Sequence, residues 1–261
     1  MTAYGFFGAG NMAEGILATI EDKGSVLMAE KNVSRAKDMA KRCGVSVTDD
    51  VKVVAKNAKT IFLAVRPQDV DAVAAEVRPL LKKTQLVVSI VAGKTLAKLR
   101  KAFGPKVRLI RVMPNLGLRV QAGACGLSPD KSATKADVKR VSGLLERAGA
   151  VSILPEKALN AVTGLSGSGP AWCAYMLKSM VESGRKLGIP ETAAMRLASW
   201  TMLGTVAYLT NSGIGLDDFI AAVCTKGGTT AAGMDVLAES DFSSVVDKTI
   251  KAAAKRAAEL C

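Results

Sequence analysis

The sequence predicts an α/β domain followed by an all-α domain, because the residue pattern changes near residue 155. Before that point, short apolar runs typical of strands alternate with helical patterns. These runs are Tyr4–Phe7, Val26–Ala29, Thr60–Val65, Leu86–Val91 and Val107–Val112, with a weaker one at Val45–Val47. Strands that are apolar throughout and separated by helices indicate a parallel sheet covered on both faces. After Pro155 the strand pattern disappears, so we expect two domains, residues 1–155 and 156–261.

The remaining elements follow from periodicity and from stop signals. The first half should also contain helices at Gln68–Leu81 and Thr134–Ala148 and strands at Ala124–Leu127 and Val151–Leu154. The second half should be helical at Trp172–Leu187, Glu191–Leu209, Leu216–Cys224, Thr230–Ala238 and Phe242–Leu260. The cations at 185–186, followed by Gly188 and Pro190, predict that the first of these helices ends there.

A glycine loop directly follows the first strand. Gly8, Ala9, Gly10, Asn11, Met12 and Ala13 form a GxGxxA sequence that opens a helical stretch. The first glycine permits a tight turn, the second lets a pyrophosphate approach the backbone, and the small last residue packs helix on strand. The pattern predicts a Rossmann-type domain that binds a nicotinamide dinucleotide, with a tight turn that holds no ligand as the alternative.

Charged residues at the end of the second strand bear on the choice of cofactor. A carboxylate such as Glu30 would bond the ribose 2′-hydroxyl of NADH, whereas Lys31 and Arg35 would accept the 2′-phosphate of NADPH. This chain offers both, and surface charges without a ligand role are a further alternative. We therefore expect the protein to use NADPH or NADH.

Composition narrows the chemistry and the partners. The 261 residues carry 36 Lys and Arg against 23 Asp and Glu, a formal net charge of +13. The basic residues are dispersed and lack interleaved aromatics, so we expect a small anionic substrate and no nucleic acid. The chain has no histidine, and its five cysteines include no CxxC pair, so we expect no metal site.

The sequence also bears on location. No apolar run is long enough to span a membrane, and the N-terminus lacks the features of a signal peptide. We expect a cytoplasmic protein that does not associate with membranes.

Several further strings together resemble one family over essentially the whole chain. They are Ala64–Gln68 (AVRPQ), Ser89–Gly93 (SIVAG), Arg111–Asn115 (RVMPN), Leu165–Ala171 (LSGSGPA) and Gly227–Thr230 (GGTT). With the glycine loop, they resemble pyrroline-5-carboxylate reductase, and LSGSGPA and GGTT are the most specific of them. The chain departs from the family at Arg66, at Leu116-Gly117 and at Thr225-Lys226, which stand where Lys, Thr-Pro and Ser-Pro are usual.

The resemblance implies NAD(P)H-dependent reduction of Δ1-pyrroline-5-carboxylate to L-proline, the last step of proline biosynthesis, and it favours NADPH. It also implies a helical C-terminal domain that forms a homodimer or a larger assembly. Exposed apolar faces expected on the later helices agree with assembly.

The same strings supply the candidate site residues. Seven residues follow the carboxyl ends of strands, where open α/β sheets bind ligands: Ala64, Val65, Arg66, Pro67, Ala92, Gly93 and Asn115. We expect them to bind the cofactor, with the nicotinamide near Ala92 and Asn115. A rigid turn is the alternative at residues 113–115.

We expect the substrate to bind at Thr225, Gly227, Gly228, Thr229 and Thr230, where a flexible loop enters a helix and its N–H groups could hold a carboxylate. Thr230 is the candidate catalytic residue, an orienter or proton donor, with plain helix capping by Thr229 or Thr230 as the alternative.

Two other functions stay open at this stage. β-Hydroxyacid dehydrogenases share the glycine loop and the α/β-then-α order, but they resemble one another in a catalytic Lys followed by paired Asn, and this chain has no Asn-Asn pair. A non-catalytic nucleotide-sensing protein could use the same fold.

Overall fold

The first part of the chain builds one eight-stranded sheet in the computed structural model, which describes residues 2–260. Its strands are β1 (Thr2–Phe7), β2 (Val26–Ala29), β3 (Ser46–Thr48), β4 (Ala58–Leu63), β5 (Leu86–Ser89), β6 (Arg108–Met113), β7 (Gly123–Pro129) and β8 (Gly149–Ile153). The strand order is β3-β2-β1-β4-β5-β6-β7-β8. The order reverses direction at β1, which lies between β2 and β4, and this reversal opens a crevice at the carboxyl ends of the strands.

Twelve helices complete the described chain. They are α1 (Asn11–Ala18), α2 (Val33–Cys43), α3 (Val51–Asn57), α4 (Val70–Val77), α5 (Leu96–Phe103), α6 (Lys135–Glu146), α7 (Leu159–Val162), α8 (Gly169–Lys186), α9 (Glu191–Ser212), α10 (Leu216–Val223), α11 (Thr229–Glu239) and α12 (Phe242–Leu260). Among residues 2–260, none of these helices is long and apolar enough to cross a membrane.

The predicted α/β Rossmann-type domain followed by helices is confirmed, and two details are corrected. The sheet is not parallel throughout, because β7 runs antiparallel to β6, with Val112 opposite Leu127. The helix expected over Gln68–Leu81 is shorter: a 3₁₀ turn at Pro67–Asp69 precedes α4, which ends at Val77. Pro79 lacks the N–H group that would continue the helix.

Two apolar layers hold the sheet between helices. On one face Phe6, Phe62 and Val88 pack with Ile16 of α1 and Leu145 of α6, all fully buried or nearly so. On the other face the core combines strand residues with residues of α3, α4 and α5; its members include Phe7, Ile61, Leu63, Val54, Val77, Leu99 and Phe103. Burial of such side chains contributes about 1.5–3 kcal/mol each, and it fixes the strand ends that carry the site.

The chain divides into two compact units. The first runs to Pro170 and includes the chain from Lys251 onward, and the second is Ala171–Ile250. The expected boundary at residue 155 marks the end of the strand-bearing chain, since β8 ends at Ile153. The first unit therefore extends further, through α7 and the segment up to Pro170, and the boundary at 155 stays a prediction.

The second unit has a very small core by itself. Within Ala171–Ile250 the buried apolar cluster consists of Val181, Ala194 and Ala198, with Leu177 packed against it. Large apolar side chains such as Trp200 and Val206 of α9 are 66% and 61% exposed. An apolar surface of this extent indicates an interface with another chain.

Candidate active site

The glycine loop joins β1 to α1 in a conformation that requires glycine at its first position. Gly8 has φ +97°, and its N–H donates to the carbonyl oxygen of Ala29 at 2.8 Å. A Cβ atom on Gly8 would lie 2.6 Å from the carbonyl oxygen of Ala64, far inside van der Waals contact. Any side chain here would push β4 away from the loop.

Gly10 is the N-cap of α1 and faces open space. A Cβ on Gly10 would meet nothing within 4 Å, and its φ of −80° is open to any residue. Glycine has no side chain that could accept from the first N–H groups of the helix, which include those of Asn11 and Met12. A helix start of this kind is suited to an anion such as a pyrophosphate, so the loop fits a dinucleotide.

Glu30, which follows β2, is bound to the glycine loop. Its Oε2 accepts from the N–H of Ala9 at 3.2 Å, and its Oε1 accepts from the N–H of Asn32 at 2.9 Å. Arg35 of α2 pairs with Oε2 at 3.4 Å, and the Glu30 side chain is only 11% exposed. Both carboxylate oxygens are therefore engaged by the protein, so Glu30 braces the loop as well as flanking the site.

These residues surround a cavity of about 500 Å³ at the reversal of strand order. Of the predicted cofactor residues, its wall contains Gly8, Ala9, Gly10, Glu30, Lys31, Arg35, Ala64, Val65 and Arg66. Asn11, Met12 and Pro67 adjoin this wall in sequence. The structure thus brings the ends of β1, β2 and β4 together around one cavity.

Each cation in the cavity wall has a carboxylate partner. Lys31 pairs with Glu76 at 3.8 Å, Arg66 with Asp69 at 2.9 Å, and Arg35 with Glu30. Sequence reasoning missed Asp49, Asp69 and Glu76, although Asp49 follows β3 and the other two belong to the segment after β4. For Asp49 and Asp69 the position soon after a strand end was a signal that could have found them, whereas Glu76 lies near the end of α4 and carries no such signal.

Ala92, Gly93 and Asn115 follow β5 and β6, further along the same sheet edge, and they do not line this cavity. Ala92 is exposed. Gly93 lies against the end of α12, since a Cβ built there would be 2.7 Å from the carbonyl oxygen of Leu260. Their assignment to the cofactor stays a prediction.

The side chain of Asn115 is engaged in hydrogen bonds within the protein. Its Oδ1 accepts from the N–H of Gly117 at 3.1 Å and of Ala124 at 3.0 Å, and its Nδ2 donates to the carbonyl oxygen of Ser166 at 3.1 Å. It also caps the 3₁₀ turn Leu116–Val120. This geometry supports the rigid-turn interpretation for the side chain.

A π-helical turn, Thr163–Gly167, overlaps the start of the LSGSGPA string, and the sequence analysis did not predict it. The N–H of Ser168 bonds the carbonyl oxygen of Thr163 at 2.8 Å, and Ser166 Oγ donates to Val162 at 3.1 Å. Gly167 lies close to Met113, whose Cε would be 2.5 Å from an added Cβ. Such turns are frequent at functional sites.

The predicted substrate residues form the entry to α11 in the second unit. Gly228 is the N-cap of α11, and its N–H bonds the carbonyl oxygen of Thr225 at 2.9 Å. Gly227 has φ +69°. Thr229 and Thr230 are the first two helical residues, past the cap position, and both are exposed. Their hydroxyls therefore do not occupy the N-cap position.

The cysteines offer little chemistry. Burial raises the pKa of the Cys125 thiol to about 12, which keeps it protonated. Cys43, Cys173 and Cys224 are unpaired, and Cys261 lies outside the described residues. Over residues 2–260 no group of three or more carboxylates or cysteines is arranged to hold a metal ion.

A glycine cradle at the strand reversal, an uncapped helix start and a cavity with ion pairs in its wall are typical of one class of protein. The protein is an NAD(P)-dependent oxidoreductase with a Rossmann-type domain.

Comparison with known proteins identifies the family. The chain is 32% identical to pyrroline-5-carboxylate reductase 2 of Bacillus subtilis, over 100% of this chain and 95% of the relative. It is 35% identical to pyrroline-5-carboxylate reductase 3 of Danio rerio, over 98% and 90%. The structure of a pyrroline-5-carboxylate reductase from Coxiella burnetii superposes with a TM-score of 0.94 at 28% identity, covering 99% of this chain and 98% of that one. The chain belongs to the pyrroline-5-carboxylate reductase family.

Two family descriptions match separate parts of the chain. Residues 3–93 match the family described as NADP oxidoreductase, coenzyme F420-dependent. Residues 156–260 match the one described as pyrroline-5-carboxylate reductase dimerisation. The C-terminal region is therefore a homo-oligomerisation region, in agreement with the exposed apolar side chains of α9.

Proposed function

We propose that the protein catalyses NAD(P)H-dependent reduction of Δ1-pyrroline-5-carboxylate to L-proline. The observation that carries this proposal is full-length similarity to reductases of this name, in a chain that retains the open glycine cradle between β1 and α1. A protonated cyclic imine is already electrophilic, so the reaction needs little acid catalysis. A chain without histidine can meet that need.

The cofactor would be held mainly by backbone groups. Gly8–Met12 would bind the pyrophosphate, and Ala64–Pro67 would flank it from the end of β4. When bound, the reduced nicotinamide supplies the hydride for the imine carbon. The protein's own task is to hold the reactants at near-attack distance and to exclude water.

The ion pairs around the cavity support use of both cofactors. Glu30 is held by Ala9, Asn32 and Arg35, so its negative charge is partly compensated where a 2′-phosphate would lie. Arg35 and Lys31 could turn from their carboxylate partners to a phosphate, because both are more than half exposed. We propose that both work, with NADPH preferred.

The substrate carboxylate would bind at the start of α11. Thr225, Gly227, Gly228 and Thr229 place backbone N–H groups and hydroxyls around a helix start whose cap has no side chain. The Thr230 hydroxyl, which is not used as a cap, would donate to the ring nitrogen or the carboxylate. This arrangement suits a small anionic substrate.

We propose that the protein does not act on nucleic acid, although its net charge is +13. Many cations of the first unit are already paired; Arg42, Arg100, Arg108 and Arg140 each bind a carboxylate. An electrophoretic shift of short duplex DNA or RNA at physiological salt would contradict this.

A cytoplasmic location is likewise a proposal. It is supported by Cys43, Cys125, Cys173 and Cys224, which are all unpaired, as expected in a reducing compartment. Fractionation of cells with an antibody against the chain tests it.

The deciding experiment is oxidation of NADPH and NADH by the purified full-length protein with Δ1-pyrroline-5-carboxylate, followed by identification of proline. A panel of 3-hydroxy acids with oxidised cofactor serves as the comparison. Turnover of the hydroxy acids alone would favour a β-hydroxyacid dehydrogenase. Cofactor binding without turnover of either substrate would favour a nucleotide sensor.

A further inference from the structure

One carboxylate joins three segments of the first unit at the sheet edge. Glu156 opens the 3₁₀ turn that follows Pro155. Its Oε1 accepts from the N–H of Leu96 at 2.6 Å and from Nη1 of Arg111 at 3.1 Å. Leu96 is the first residue of α5, and Arg111 lies in β6 opposite the last residue of β5, Ser89.

Burial makes this junction costly to change. The Arg111 side chain is 6% exposed and that of Glu156 31%. A buried guanidinium needs a compensating carboxylate, and a carboxylate at the start of α5 is further stabilised by the helix dipole. Glu156 satisfies both demands with one oxygen atom.

The three joined segments are those expected at the nicotinamide end of the cofactor. Leu96 follows the loop that carries Ala92 and Gly93, and Arg111 begins the RVMPN string that ends at Asn115. Glu156 leads through α7 into the π-helical turn, whose Ser166 carbonyl accepts from Asn115. Two of these segments, the end of β6 and the chain from Glu156 to Ser166, are therefore connected twice, at Glu156 and at Asn115, whereas α5 is joined at Glu156.

We propose that Glu156 is a positioning residue for the reaction. Its carboxylate fixes three segments relative to one another: the start of α5 after the β5 loop, β6 near its end, and the chain that leads from Glu156 through α7 to the LSGSGPA string. It acts through Leu96 and Arg111 and does not itself touch the reacting atoms. This inference rests on the proposed function, because it assigns the nicotinamide to these loops.

The test compares three variants of Glu156 in the full-length protein. E156A removes both contacts and should lower kcat by about 10- to 100-fold, because a displacement of roughly 1 Å can cost about that much. E156D keeps the charge but is too short to reach both partners, so it should lower kcat as well. E156Q keeps the acceptor oxygen but not the charge that faces Arg111, so it should recover only part of the rate.

Cofactor affinity separates positioning from a general loss of structure. The pyrophosphate cavity lies at β1, β2 and β4, so the Kd for NADPH should change less than about 3-fold in all three variants. D130N is the matched control: Asp130 pairs with Arg100 and lies beside Leu109, near the opposite end of β6. It should lower the melting temperature and leave kcat unchanged.

Hydrogen exchange in the absence of cofactor tests the junction directly. The Leu96 amide should be protected in the wild type and should exchange faster in E156A. Unchanged protection would overturn the junction, and faster exchange with unchanged kcat would overturn its positioning role. If E156A folds poorly, Leu96 exchange and kcat are measured in E156D, and the same outcomes apply. A wild type without turnover refutes the proposed function, whereas an active wild type with an equally active E156A refutes only this inference.

Discussion

The N–H of Ala9 donates a hydrogen bond to Oε2 of Glu30, 3.2 Å away, and so joins the glycine loop to the end of β2. The same oxygen pairs with Arg35. The residue that a sequence pattern would assign to the ribose is therefore also part of the loop's support. We therefore expect the neighbouring cations, Lys31 and Arg35, to be the main determinant of cofactor choice.

Replacing Lys31 and Arg35 together by Ala should weaken NADPH far more than NADH, by about 10-fold or more, because a 2′-phosphate loses two charge-assisted partners. Fluorescence titration with each cofactor measures this. The control replaces Lys37 and Lys41 together by Ala, because both lie on α2 with Arg35. An equal loss for both cofactors would show that residues 31 and 35 do not contact the phosphate.

Two glycine substitutions should fail in different ways. Gly8→Ala should destabilise the fold by about 1–3 kcal/mol or more, because φ is +97° and the added Cβ meets the carbonyl oxygen of Ala64. Gly10→Ala should fold normally, because its Cβ meets no protein atom, yet it should weaken cofactor binding by filling the space for the pyrophosphate. Thermal unfolding and cofactor titration separate the two effects. Normal NADPH affinity in Gly10→Ala would place the pyrophosphate elsewhere.

Thr230→Ala should fold and bind cofactor normally, because Gly228 is the cap of α11. Loss of one oriented hydrogen bond should cost about 2–3 kcal/mol in the transition state, roughly 30- to 150-fold in kcat/KM. Thr230→Ser should recover much of the rate. Steady-state kinetics with Δ1-pyrroline-5-carboxylate measures both, and near-normal kcat/KM in the Ala variant would remove Thr230 from the catalytic set.

Trp200→Glu should dissociate the assembly at concentrations where the wild type is a dimer or larger. Trp200 is 66% exposed in α9, so a charge there disrupts an interface without disturbing a core. Val33→Glu is the matched control, since Val33 is 65% exposed in the first unit. Light scattering at micromolar concentration decides between the outcomes, and a monomeric wild type would contradict the prediction.

Acid should destabilise the first unit through Asp137. Burial alone would raise the pKa of this carboxyl, but hydrogen bonds from Thr134 and the charges of Arg108 and Arg140 outweigh it and lower the pKa. A lowered folded-state pKa gives stability that is present above the unfolded value, about 4, and is lost as pH falls through the folded value. Asp137→Asn should be less stable at pH 7, and its loss of stability on acidification should be smaller. Parallel pH dependence of unfolding in the two proteins would exclude this role.

The glycine loop shows which features a local sequence pattern can predict. GxGxxA after an apolar run and before a helix determines the turn, the helix start and the anion-binding geometry, because all three depend on neighbouring residues. Strand and helix positions followed from periodicity for the same reason. The helix over residues 68–81 was predicted too long because the stop at Pro79 was not taken into account.

The antiparallel strand β7 shows that periodicity does not predict the direction of a strand. An apolar run predicts a buried strand, but its direction depends on how the chain returns to the sheet. Which residues meet at the site also depends on how the chain returns to the sheet. Asn115 and Ser166 are 51 residues apart, and Glu156 is 60 residues from Leu96.

The α/β-then-α order, the dinucleotide loop and the family resemblance were all predictable from the sequence, because each depends on spacing within a few residues. The folded chain was needed to show that Glu30 supports the glycine loop, that the Asn115 side chain bonds within the protein and that Glu156 joins three segments. Those contacts arise where the packed sheet brings distant strand ends to one edge, and no local pattern records which side chains meet there.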